Sequence, residues 1–423
     1  MRLRLDALLA DLRDRTEAIL AAIDADPLLL HRVSGDLVLA NASKALYTPV
    51  EEHQLYAKGI VYRREPLRLV SLPLVKIYNA GEREVTVADL AGIASEAGVR
   101  LRFLRKLDGS LLQVFRDSGR VFFTTRGMIE GARLKNDDDE DVRPGFDYLA
   151  AAREMAMRLH PRLFDDASVL QGRTLLFELI HHEARQVTNY GDRADITLIA
   201  CFDHKRFAYV AYDELGRIGE SAGLAVVEPL SFPGDLAAQI DALLASMAGT
   251  DEEGAVLCFE RQGEVIYRVK IKSPEYLQLM RLMAFCTYDR TVEFIDTHGP
   301  VETWDRLREL LQVEGRSRVP EEVLGFYRAH WDRFAAYLAD LARLRAWAEA
   351  RREAIAEAVR VAGQTPGEFR KAFALRAVAE PVPALVFAAL DGRLDTARLR
   401  KIASKPEEAT EMLGKLGIAE VRG

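Results

Sequence analysis

Two hydrophobic periods divide this chain, and the change from one to the other constrains its fold more than any other feature. Up to about residue 289, short runs are β-branched or aromatic and are separated by Gly or Asp turns. They include "LRLVSLPLVKIY", "VRLRFLRKL", "SLLQVFRDSG", "RVFFTTRG", "TLLFELI", "ITLIACFD", "RFAYVAYDELG", "GAVLCFERQG" and "EVIYRVKIKS". Such runs read as strands. Their strand–turn–strand order predicts antiparallel sheets, and therefore an α+β class rather than a doubly wound α/β one. "FDYLAAAREMAMRLH" and "DLAAQIDALLASMAG" read as helices, the second capped at Asp235 and closing at Gly249. From about Val292 the period lengthens. "EEVLGFYRAHWDRFAAYLADLARLRAWAEARREAIAEAV" carries Val323, Tyr327, Trp331, Phe334, Leu338, Leu341 and Leu344 at steps of three and four, one long amphipathic helix. Thr365, Pro366 and Glu368 then make a capping-box start for another. The expected organisation is an α+β domain over 1–289 and an all-α domain over 290–423.

Composition narrows the functional classes. With 423 residues, 49% of them apolar and 29% charged, the chain has the make-up of a soluble globular protein with an ample core. A net charge of −7 offers no global field for polyanions, so nucleic acid would need a local basic patch. Cys201, Cys258 and Cys286 are far apart, which excludes a disulfide framework or Cys-x-x-Cys zinc site and fits a reducing cytoplasm. The opening "MRLRLDALLADLRDRTEAILAAI" reads as an amphipathic helix, because Asp6 and Asp11 interrupt any signal-peptide core. No uncharged run reaches the roughly 20 residues needed to span a bilayer. The expected location is cytoplasmic, with no membrane partner. "NDDDEDVRPG" reads as a solvated acidic loop.

Phosphate-loop, dinucleotide, zincin and nucleophile-elbow motifs are all missing. His181 and His182 are strand neighbours, expected on opposite faces and hence not to share a metal. Three stretches carry chemistry instead. In "RFLRKLDGSLLQVF", Lys106, Asp108 and Gly109 stand between two strand-like runs, a pattern that an Asp-Gly hairpin with a solvated lysine also explains. In "EVIYRVKIKSPEY", Lys270 and Lys272 share one strand face and repel unless an anion lies between them. A hairpin turning near Gln262 sets Gly254 about opposite Lys270, within one or two residues, and Glu253 beside the lysine pair. An acid beside two cations suits Mg²⁺ and phosphate. In "TLLFELIHHE", Glu178 interrupts an apolar strand, and a buried carboxylate needs a partner: a cation, a ribose hydroxyl or a metal-bound water.

Together these stretches resemble the covalent nucleotidyltransferases, the ATP-dependent DNA and RNA ligases and mRNA capping enzymes. The resemblance lies in Lys106-Leu107-Asp108-Gly109, Phe177-Glu178, Glu253-Gly254 and Val269-Lys270-Ile271-Lys272, taken in that order. Within that superfamily the chain is most similar to the phage-type RNA ligase 1 family, from about Leu55 to Leu279. "LVSLPLVKIYNAGE" supplies Lys76 and Tyr78 ahead of the nucleophile, "KIKSPEYLQL" supplies Tyr276, and "TTRG" supplies Arg126. Lys58 in "YAKGIVY" stands where that family usually has arginine, and Arg126 where lysine is common; both exchanges keep charge but change the geometry of phosphate binding.

The resemblance implies an antiparallel-sheet, ATP-grasp-like ligase domain followed by the helical domain, with ATP as substrate and Mg²⁺ or Mn²⁺ as cofactor. It implies that Lys106 attacks the α-phosphorus of ATP, that AMP passes to an RNA 5′-phosphate, and that a 3′-hydroxyl then displaces it. Lys270 would lower the pKa of Lys106, and Lys270 and Lys272 would take phosphoryl charge. Asp108 would orient the amine or a metal water, and Glu178 and Glu253 would bind ribose or metal waters. Lys58, Lys76, Tyr78, Gly109, Arg126, Gly254 and Tyr276 would complete the ATP site. A DNA ligase or capping guanylyltransferase is the competing enzyme reading, against which the helical tail counts; a nucleotide-binding RNA chaperone is the competing non-enzyme reading. The tail from Thr365 to Ser404 holds seven bases against four acids, making Arg370, Lys371, Arg398 and Lys401 candidates for RNA contact.

Overall fold

In a computed structural model, residues 4–43, 46, 49–82, 85–131, 146–285, 287–297, 301, 303–314 and 321–418 are described. The acidic run "NDDDEDVRPG" lies outside them. The chain divides into two compact units, Met1–Met280 and Arg281–Gly423. The first is α+β with antiparallel sheets, and every described element of the second is helical.

The strands are β1 (Leu29–Ser34), β2 (Leu37–Ala42), β3 (Lys58–Arg64), β4 (Leu67–Ser71), β5 (Tyr78–Asn79), β6 (Arg100–Lys106) and β7 (Ser110–Asp117). They continue as β8 (Arg120–Thr125), β9 (Arg173–His181), β10 (Ala194–Asp203), β11 (Ala208–Tyr209), β12 (Pro229–Leu230), β13 (Gly254–Arg261) and β14 (Glu264–Lys272). Three sheets result, in the orders β1-β2-β3-β4, β11-β10-β9-β7-β8 and β12-β6-β13-β14-β5. All pairings between strands are antiparallel except the short β5–β14 contact.

Alternation explains how two of these sheets enclose a site. On β13 and β14, Ala255, Leu257, Phe259, Val269 and Ile271 are buried with Leu236, Ile240 and Leu243 of the helix Leu236–Ser246. Residues of the other parity, Gly254, Val256, Cys258, Arg268, Lys270 and Lys272, therefore face the opposite way. On the second sheet, Leu112, Val114, Leu175, Phe177, Ile196 and Leu198 pack with the helices Tyr148–Leu159 and Tyr212–Ala222. Glu178, Leu111 and Thr197 are thus aligned on the other face. Each sheet buries one face under helices and turns its chemistry-bearing face inward.

Several expectations change. The first helix is two, Leu5–Asp14 and Thr16–Ala25, broken at Arg15. "RFAYVAYDELG" gives only two strand residues before the helix at Tyr212, because Asp213 and Glu214 suit a first helical turn. The β1–β2 hairpin was not foreseen; its two-residue Gly35-Asp36 turn, with Gly35 at φ +61°, was the available signal. His181 ends β9 and His182 begins a 3₁₀ turn, so their rings stack at 4.4 Å instead of pointing apart.

In the second unit, the helix Glu321–Val361 runs unbroken for 41 residues. Trp331, Phe334, Leu341 and Leu344 are buried and Tyr327 and Leu338 partly so, which is the expected stripe; Tyr337 joins them, its hydroxyl donating to the Ala403 carbonyl. The Thr365–Glu368 capping box forms as read.

Gly254 opens the central strand at φ +142°, and a Cβ there would lie 2.0 Å from the Ile271 carbonyl oxygen. Gly254→Ala should cost more than about 1 kcal/mol, since an L-side chain fits neither the conformation nor the space. Gly325→Ala, in a helix with nothing near the added methyl, should be neutral or stabilising by up to about 1 kcal/mol. Calorimetric melting of both variants checks the contrast.

Candidate active site

Strand register brings the sequence-distant residues together. Gly254 of β13 pairs with Lys106 of β6 on one side and with Lys272 of β14 on the other. The next row inward is Leu104, Val256 and Lys270, and the one after it Arg102, Cys258 and Arg268. Gly254 thus lies two residues from its expected place opposite Lys270. The hairpin turns at Gln262 and Gly263, both with positive φ, as a two-residue loop.

Glu253, immediately before β13, bridges the flanking strand ends. Its Oε2 accepts from Lys106 Nζ at 2.5 Å and its Oε1 lies 2.8 Å from Lys272 Nζ. The carboxylate is 4% exposed. Removing the carboxylate would leave two ammonium groups unpaired in a largely buried place, so Glu253 holds both lysines. Ser273 fixes the arrangement from behind: its N–H donates to the Glu253 carbonyl and its hydroxyl to the Glu252 carbonyl.

Across from Lys106, Glu178 projects from the middle of β9, and its Oε1 accepts from Gly109 N–H at 3.0 Å. A Cβ on Gly109 would meet the Leu179 carbonyl oxygen at 2.3 Å, so only glycine lets the two sheets approach here. Burial pushes the Glu178 carboxyl up to about 7, despite the pull of Lys106.

Asp108 is hydrogen-bonded to groups other than the Lys106 amine. Its Oδ2 accepts from the N–H groups of Val187 and Thr188 at 2.7 and 2.8 Å, and its Oδ1 from the Tyr276 hydroxyl at 2.7 Å. Both oxygens are engaged away from the amine. Tyr276 is likewise buried against Asp108, with its ring centroid 5.0 Å from Lys272 Nζ. This pair ties the segment after Lys106 to the segment after Lys272.

A cavity of about 570 Å³ opens over these residues. It is lined by Lys106, Glu178 and Lys270 and, from other elements, by Lys58, Lys76 and Arg126. Burial, then Arg126 and Lys76, brings the Lys58 ammonium down to about 8. Burial, with Lys106, Lys272 and Lys76 nearby, does the same to Lys270. Cations gathered in this way make an anion site. Lys76 lies 3.7 Å from Glu82 and 5.3 Å from the Tyr78 ring centroid.

Lys106 departs from expectation. Burial pushes its ammonium down, but Glu253, Glu178 and Asp108 outweigh burial and hold its pKa above the ordinary lysine value. Lys270 does not depress it enough to matter in this state.

Among the described residues, no group of three or more His, Cys, Asp or Glu is gathered to hold a metal directly. Glu178 lines the cavity beside Lys106, while Glu253 is engaged by Lys106 and Lys272. Asn41 and Arg268 are among the lining residues missed from the sequence. Asn41 carries a buried Oδ1 with no hydrogen-bond donor among the described residues, and Arg268 lies one row inward of Lys270. Strand alternation from Lys270 was the signal for Arg268; nothing local marked Asn41.

The tail residues are exposed. Arg370 and Lys371 lie on the helix Pro366–Ala377, and Arg398 and Lys401 on Thr396–Ile402. Arg370 is 2.8 Å from Asp391, while Arg400 is drawn aside by Asp296 at 2.6 Å. No described helix is long and apolar enough to cross a membrane.

No protein-family model matches this sequence, and no curated protein matches it. Solved structures do. A Naegleria gruberi RNA ligase mutant with ATP and Mn is 18% identical over 45% of this chain and 54% of its own, with a TM-score of 0.33. Another mutant of that ligase, with AMP and Mn, is 18% identical over 49% of this chain and 60% of its own, with a TM-score of 0.35. An archaeal ATP-dependent RNA ligase is 13% identical over 78% of this chain and 82% of its own, with a TM-score of 0.47. The chain spans little more than half the length of the Naegleria ligase.

The bridge makes a testable statement about Lys106. Glu253→Gln removes the largest influence raising its pKa and leaves burial in place. Lysine-selective ¹³C NMR should then show Lys106 titrating lower than in the wild type. An unchanged titration would mean that Glu253 does not set the charge of the amine.

Proposed function

We propose that this chain is an ATP-dependent RNA ligase that joins RNA 5′-phosphate and 3′-hydroxyl ends through a lysyl-AMP intermediate, in RNA repair. One observation carries the reading: the Lys106 amine meets a bridging carboxylate at the edge of a nucleotide-sized, cation-lined cavity. About 570 Å³ lies within the range of small-ligand pockets, roughly 300–1,000 Å³.

The residues divide the work as follows. Lys106 Nζ attacks the α-phosphorus; the N–P bond forms as the P–O bond to pyrophosphate breaks. The amine must first lose a proton, and Glu253 Oε2, at 2.5 Å, is the acceptor in reach. Its transfer is favoured when an anionic nucleotide has entered and Lys272 turns from Glu253 to phosphoryl oxygens, with Lys270 beside it. Lys58, Lys76 and Arg126 suit the outer phosphates as point charges and a fork. Glu178, raised to about 7, suits a ribose hydroxyl as either donor or acceptor. A divalent ion, held through its waters by Glu253 and Glu178, would supply charge for the developing phosphoryl oxygens. Asp108 and Tyr276 act as positioning residues that hold the strand ends in register.

Incubation with α-labelled ATP or GTP, followed by a denaturing gel, tests the first step and separates adenylyl from guanylyl transfer. Label should enter the protein from ATP and should be absent in Lys106→Ala. Persistent labelling of a folded Lys106→Ala protein would refute the assignment of the nucleophile. For the helical unit, Arg398→Ala with Lys401→Ala should spare labelling but weaken RNA joining. It should also reduce the salt slope of RNA binding by about one to two. Unchanged binding at every salt concentration would leave the patch as solvated surface.

A further inference from the structure

The cavity changes character along its floor. Cations and Glu178 line it with Lys106; one and two strand rows from Lys106, Leu104, Val256 and Cys258 line it together with Ile199 and Val227. These apolar residues belong to one hydrophobic cluster or pack against it. Within this apolar stretch stands Arg268, opposite Cys258 and half-buried. Its guanidinium lies 4.3 Å from the centroid of Tyr209, whose hydroxyl is already donated to the Pro73 carbonyl. Beyond that ring and the neutral Cys258 thiol, Arg268 has no carboxylate in ion-pair reach among the described residues. A guanidinium carries five donors and no acceptor. Where burial is appreciable, such a group wants acceptors that this stretch of wall does not supply.

The distances along the strands say which part of a ligand would supply them. Lys106 fixes the position of the α-phosphorus under the proposed function, on which this inference rests. Each row inward adds two residues, roughly 7 Å. The base of a 5′-nucleotide lies a ribose away from its α-phosphorus, over the Val256 and Cys258 rows, while Lys58, Lys76, Arg126 and Lys270 already provide for the phosphates. The geometry points to Arg268 as the residue that reads the nucleobase, donating to an acceptor on the base edge while the apolar walls cover its faces. A donor-only fork takes one ring nitrogen of adenine, or O6 and N7 of guanine together. Arg268 therefore anchors the base edge through a ring-nitrogen acceptor, a contact distinct from those of the phosphates.

Calorimetric titration of the full-length protein with AMP and ATP, each with and without Arg268→Met, tests this. Loss of the contact should weaken AMP and ATP by the same factor, about tenfold or more. One ring-nitrogen deaza analogue of AMP should lose that factor in the wild type and lose nothing further in the variant. Near-UV circular dichroism verifies folding, and Arg268→Lys, which keeps charge but not the fork, serves if the methionine variant does not fold. AMP binding undiminished in a folded variant overturns the inference. So does a loss confined to ATP, which would assign Arg268 to the phosphates. A wild-type protein that binds neither nucleotide would instead remove the proposed function itself.

Discussion

The carboxylate of Glu253, held between the ammonium groups of Lys106 and Lys272, is the interaction on which the rest of the site depends. Three strand ends would otherwise bring two lysines side by side in a buried place, where like charges repel and single charges are costly. The bridge converts that conflict into a fixed geometry. It also holds the Lys106 ammonium above its ordinary pKa, despite burial. Under the proposed function, the amine would become reactive only when something else satisfies the carboxylate.

The surrounding structure serves that contact. Gly254 lets β13 start beneath the Ile271 carbonyl, and Gly109 lets Glu178 approach from the other sheet. Asp108, Tyr276 and Ser273 lock together the segments that follow Lys106 and Lys272. Helices packed on the outer face of each sheet leave one residue parity free to line the cavity. The cavity is therefore a product of alternation: the same rule that buries Val269 and Ile271 turns Arg268, Lys270 and Lys272 inward.

Much of this was legible in the sequence because the signals were local. The lysine pair, the carboxylate before β13, the Gln262 turn and the long helix each follow from spacing within one or two elements. What stayed hidden depended on contacts between distant segments. Asp108 looked like a partner for Lys106 because it is two residues away, yet Val187, Thr188 and Tyr276 claim it. Lys106 looked depressed by neighbouring lysines, yet the nearby carboxylates prevail. Asn41 joins the cavity through the folding of a distant strand, which no local pattern reveals, whereas Arg268 follows from alternation on β14. The "YDELG" segment carried both strand and helix signals, and its acidic first turn decided for the helix.

The central claim is that Lys106 is the group that accepts the nucleotide. Intact-protein mass spectrometry after incubation with ATP and Mg²⁺, followed by peptide mapping, tests it most directly. A covalent AMP adduct confined to Lys106, lost in acid as a phosphoramidate is, is the result expected. No adduct, or an adduct mapped to any other residue, would contradict it.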